Sequence, residues 1–90
     1  MEEVVLVATE AYPYAKSGGM GDVIGALFKY LPNYDFSVTL FLPAYQGMLD
    51  NYPFSPEREV DFYFGDIEVA ARFFKMEEGK RKIIAVQGKD

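Results

Sequence analysis

The chain contains no cysteine and no histidine. The first absence excludes disulfides, thiolate nucleophiles and sulfur-ligated metals. The second excludes an imidazole acid or base and a His-ligated zinc site. Positive charge is scarce: 14 acidic residues outnumber 9 basic ones, for a net charge of −5. Neither a nucleic-acid footprint nor adsorption to anionic membranes is expected from that balance. No apolar run approaches the ~20 residues of a spanning helix. The Met-Glu-Glu start and the short apolar run at residues 4–8 lack the basic head and longer core of a secretory signal. The expected compartment is the cytoplasm. What remains is a 90-residue chain, 50% hydrophobic and 17% aromatic. That is enough for one small domain and too apolar for disorder. A chain of this size buries only roughly 60–65% of its unfolded surface, so marginal stability is expected unless something covers it.

Val4-Val5-Leu6-Val7-Ala8 is a β-branched run without polar alternation, the pattern of a strand buried on both faces in a parallel sheet flanked by helices. A loop follows over residues 10–19, with Pro13 and the Gly18-Gly19 pair. Met20, Val23, Ile24, Leu27, Phe28 and Leu31 then fall on one helical stripe. Gly25 weakens that helix slightly, and Pro32-Asn33 ends it. Residues 36–42 (FSVTLFL) read as a second buried strand closed by Pro43, so strand, helix and strand form a βαβ unit. An aromatic loop with Gly47, Pro53 and Pro56 leads to two alternating stretches, 60–64 and 67–74, separated by Gly65-Asp66 and interrupted near Ala70-Ala71. These predict an antiparallel hairpin. A second turn at Glu77-Glu78-Gly79-Lys80 precedes a last strand, Ile83-Ile84-Ala85-Val86, running parallel to the first. One helix cannot cover both faces of such a sheet. The other face must be buried by the hairpin, by a second copy, or by residues outside this chain.

Lys16-Ser17-Gly18-Gly19-Met20-Gly21-Asp22 lies between the first strand and the helix, where ligands bind in open α/β sheets. The two glycines permit positive φ and close approach of the backbone. The helix start directs N–H groups and the positive end of its dipole to the same place. Lys16 adds a full charge, so a phosphate or pyrophosphate is the natural guest. The spacing fits neither a Walker loop nor G-x-G-x-x-G. The plain alternative is a tight strand-to-helix turn with an incidental lysine.

With its flanks, this loop resembles the N-terminal motif of the bacterial glycogen synthase and starch synthase family. The resemblance runs through Val4–Glu10 (VVLVATE), Pro13, Lys16–Gly25 (KSGGMGDVIG) and Leu42-Pro43-Ala44-Tyr45. It implies the N-terminal part of a retaining GT-B glucosyltransferase, whose active site lies between two Rossmann-like domains and which extends an α-1,4-glucan from a nucleotide diphosphoglucose such as ADP-glucose. Residues 1–90 would be one truncated Rossmann-like α/β domain: a βαβ unit at 3–43, a loop at 44–57, and the hairpin and last strand at 58–87. By carry-over, Lys16, Gly18 and Gly19 contact the phosphates of the nucleotide sugar, and Glu10 and Asp22 are acidic residues facing the cleft. No cofactor or metal is implied. Met20 stands for the usual Leu and Phe28 for a common Pro. The connection after Leu31 is shorter than usual, and the family's cleft histidine has no counterpart here. With the second domain also missing, the chain alone is not expected to transfer glucose, and no catalytic residue is assigned.

Each of these residues also has a structural reading. Glu10 would serve equally as the cap of a loop N–H, and Asp22 is favourable beside the helix dipole whatever its function. Tyr12, Tyr14, Tyr45 and Tyr52 suit satellite core better than sugar stacking. Glu57, Glu59, Asp61, Asp66 and Glu68 form a solvated face that guards the sheet edge, and Lys80-Arg81-Lys82 is a charged turn. Two rival functions stay open. One is a non-catalytic module of the same fold that buries its uncovered sheet face in a homo-oligomer or a partner. The other is a small binder of phosphates or sugar phosphates.

Overall fold

The computed structural model describes residues 2–15 and 18–88. Its elements are β1 (Glu2–Val7), α1 (Gly19–Tyr30), a 3-10 turn (Leu31–Tyr34), β2 (Phe36–Pro43), the single-turn α2 (Met48–Asn51), β3 (Ser55–Phe64), β4 (Ile67–Glu78) and β5 (Arg81–Gly88). They form a 5-stranded sheet in the order β1-β2-β5-β4-β3. β1, β2 and β5 are mutually parallel, while β4 runs antiparallel to both β5 and β3. No helix among the described residues is long and apolar enough to cross a membrane.

The local chemistry sets the boundaries. Pro32 opens the 3-10 turn after α1, and Asp35 takes a left-handed conformation (φ 66°) that redirects the chain into β2. Gly65 and Gly79, both at positive φ, make the two hairpin turns. The β3–β4 ladder stays in register through Ala70 and Ala71, contrary to the interruption expected there. Its register shift lies instead between Pro56 and Arg58, because Pro56 has no N–H to donate. β3 also begins at Ser55, inside the segment expected to be loop, and α2 occupies part of the rest.

Strand alternation and register place Leu6, Val38, Leu40, Leu42, Ile83 and Ala85 on the face under α1. Leu40 and Ile83 are fully buried, and Phe28 is the helix side chain inserted against them. The apolar stripe of α1 is wider than the sheet beneath it. Gly21, Gly25 and Phe28 turn inward, while Met20, Val23 and Leu27 stay exposed along the outer flank. Gly25 is there for space: a Cβ would press into the Tyr12 carbonyl oxygen and lie 3.0 Å from the Tyr12 nitrogen, since the 11–15 loop lies directly on the helix. Tyr14 and Tyr52 are satellite core as expected. Tyr14 meets Tyr52 and Phe28 edge-on with centroids 5.0 and 6.2 Å away, and burial raises its pKa against the opposing pull of Arg81. Tyr12 and Tyr45 are exposed. Arg81 is more than a turn residue. Its guanidinium lies over Phe28 at 5.0 Å and pairs with Glu78 at 3.0 Å.

The opposite face of the sheet is open. The hairpin extends the sheet sideways and does not fold across it. Val5 and Val7 are 53% and 78% exposed there, beside half-buried Phe41, Ile84, Val86 and Phe73. The two sheet edges also differ. β3 has Pro56 with its register shift and the exposed charges Glu57, Glu59 and Asp61, all devices that discourage strand addition. After Glu3, β1 has none of them.

Candidate functional site

The carboxyl ends of β1, β2 and β5 open beside the start of α1 onto a crevice of about 670 Å³, lined mostly by apolar side chains, among them Val7, Ala8, Met20, Ile24, Phe41 and Val86. Its rim is tied together by the chain leaving each strand. Ala8 N–H donates to Phe41 O (3.1 Å), Ala44 N–H to Val86 O (2.8 Å), and the Tyr45 hydroxyl to Thr9 O (2.7 Å). Tyr45 thus fastens the loop after β2 to the end of β1. That role was hidden in the sequence, where Tyr45 is only the last residue of the Leu-Pro-x-Tyr signal.

Gly18 is the N-cap of α1 and has no side chain to offer the free amides. Glu10 supplies a side-chain acceptor from the loop after β1, its Oε1 sharing the Gly21 N–H, at 2.9 Å, with the Gly18 carbonyl oxygen, at 3.2 Å. Tyr12 N–H donates to Gly21 O at 2.8 Å, so residue 21 is held through both backbone groups. The Gly18-Gly19 pair does not use positive φ. Gly18 is extended (φ −160°) and Gly19 is the first helical residue. Packing does not require glycine there either: a Cβ on Gly18 would reach only Glu10 Oε1, at 3.7 Å, and one on Gly19 would meet nothing within 4 Å. Gly19→Ala should therefore leave the melting temperature unchanged or raise it, since alanine is the better helix former by up to ~1 kcal/mol. A drop of several degrees in a thermal melt would show that the glycine is structural.

The structure brings Glu10, Gly18 and Gly21 together. Asp22, exposed in the first turn of α1, lines a separate concavity of about 430 Å³ with Tyr12, Lys29 and Arg81 and is not among the residues around the crevice. Lys16 lies outside the described residues. Among the described residues, no cluster of three or more His, Cys, Asp or Glu is arranged to hold a metal ion.

This strand–loop–helix junction sits within a stretch, residues 3–89, that matches the family model of the starch synthase catalytic domain. The chain belongs to that family. Glycogen synthase from Thermodesulfovibrio yellowstonii is 50% identical over 50 residues, which cover 56% of this chain and 10% of the relative. Glycogen synthase from Streptococcus gordonii is 34% identical over 82 residues, covering 91% of this chain and 16% of the relative. The catalytic domain of starch synthase IV from Arabidopsis thaliana, solved with ADP and acarbose, superposes with a TM-score of 0.80 over 99% of this chain and 18% of its own, at 24% identity. The chain therefore spans 10–18% of these proteins. Its mixed sheet with few helices is a partial Rossmann-like α/β domain of the starch synthase type, within a family of glucosyltransferases.

Proposed function

We propose that this chain forms the donor-phosphate half of a glycogen/starch-synthase-type active site. In a complete GT-B enzyme that site transfers glucose from ADP-glucose, with retention, to the end of an α-1,4-glucan. The observation that carries this reading is the junction of β1 and α1, where two glycines that neither backbone nor packing demands stand beside an open crevice. Bare backbone at a helix start suits a diphosphate, and Lys16 supplies the countercharge. The ADP and acarbose held by the Arabidopsis relative support the same pair of ligand classes. Glu10 acts on the loop from the strand side, and Asp22 is assigned to neither donor nor acceptor.

On this reading the chain alone does not incorporate glucose from ADP-glucose into glycogen. Exchanging it for the matching N-terminal segment of the T. yellowstonii enzyme yields a chimera that does. A labelled-glucose incorporation assay measures both. A fully folded chimera without activity would contradict the proposal.

A second reading is favoured by the open sheet face and the unguarded edge of β1: a non-catalytic module that buries this face in a second copy or in a longer synthase-type polypeptide. Light scattering tests the homo-oligomeric form. A monodisperse monomer across the micromolar range would remove it.

A further inference from the structure

We propose that Glu10 is a positioning residue of the β1–α1 loop, and that its charge holds the anion affinity of that loop below what the backbone alone would give. The inference rests on the donor-phosphate reading above. The α1 N-cap is a glycine without a side-chain hydrogen bond, so within its own turn the Gly21 amide has only the Gly18 carbonyl, at 3.2 Å. Glu10 adds a second and shorter acceptor, at 2.9 Å, across 11 residues of sequence. It acts as a strut between the end of β1 and the first turn of α1, while the Tyr12 amide holds the carbonyl of the same Gly21. Gly21 is buried, and its neighbours Gly18 and Gly19 are exposed. The strut therefore fixes where the exposed backbone points.

The same carboxylate stands at the positive end of the helix dipole, which stabilises the helix. An anion arriving at Gly18-Gly19 meets that negative charge. Glutamine separates the two effects, because its Oε1 still accepts the Gly21 N–H while the charge is gone.

The experiment compares wild type, Glu10→Gln and Glu10→Ala by amide exchange at Gly21 and by NMR titration with ADP. Glu10→Ala is expected to speed Gly21 exchange by roughly tenfold or more through loss of a charge-assisted bond. Glu10→Gln should keep most of the protection and bind ADP roughly three- to tenfold more tightly than wild type, whereas Glu10→Ala binds more weakly than glutamine. A glutamine variant that loses ADP affinity would show that the negative charge itself serves the ligand, overturning the proposal. Unchanged Gly21 exchange in the alanine variant would overturn the positioning role. A wild type with no ADP response contradicts the donor reading and the charge effect together, and Gly21 exchange then decides the positioning role alone.

Discussion

Gly25→Ala should destabilise the fold by about 2–3 kcal/mol, although alanine is normally the better residue inside a helix by ~1 kcal/mol. The methyl group would be driven into the backbone of Tyr12, whose oxygen, nitrogen and carbonyl carbon are its three nearest atoms. A backbone segment cannot step aside as a flexible side chain would. Moving it breaks the Tyr12–Gly21 hydrogen bond and pulls on Ala11, which is completely buried and bonded to Ala15. The measurement is urea denaturation followed by circular dichroism, with Gly19→Ala as the control in the same helix. Two alanine variants of equal stability would mean that the 11–15 loop does not rest on α1 as described.

Leu40→Ala should cost about 2–5 kcal/mol, the range for deleting a leucine side chain from a packed core. Leu40 is fully buried at the centre of the parallel strands, in register with Leu6 on one side and Ile83 on the other. A domain of this size has only ~5–13 kcal/mol in total, so the variant approaches or reaches global unfolding. Val7→Ala is the informative companion. Val7 belongs to the same apolar run of β1 but points to the open face, 78% exposed, and its truncation should change stability by less than ~0.5 kcal/mol. Equal losses from the two substitutions would show that both faces of the sheet are covered in solution.

That contrast shows how far the sequence could be read. Short apolar runs identified β1, β2 and β5 as strands, and Gly65 and Gly79 marked both turns, because strand periodicity and turn chemistry are local signals. The burial of β1 on both faces expected from its run is not found, since Val5 and Val7 are exposed. Sequence periodicity could not tell that the hairpin would lie beside the parallel strands and leave the second face bare, since Val5 and Leu6 look alike until a layer is placed on one of them. The width of the α1 stripe misled for the same reason. Met20, Val23 and Leu27 have the spacing of core residues, yet the sheet beneath α1 reaches only Phe28 and Ile24.

At the site, the loop and its glycines were legible through the Lys-x-Gly-Gly pattern. The conformation attributed to those glycines was not what the structure shows. Glu10 was open to two readings, and the hydrogen bond from the Gly21 amide shows the capping one without bearing on the other. Asp22 was grouped with Glu10 by the family resemblance; one position beyond Gly21 on the helix it faces about 100° away, and it lines a different concavity. Tyr45 could not have been assigned, because its hydroxyl meets the Thr9 carbonyl across 36 residues of sequence.

The most direct test of the donor-phosphate reading is calorimetric titration of the 90-residue chain with ADP, run in parallel on Lys16→Ala. The wild type should bind weakly, with a dissociation constant of order 1 mM for half a pocket, and lose roughly tenfold or more in affinity when the lysine charge is removed. ADP binding of equal strength in both proteins would contradict that reading.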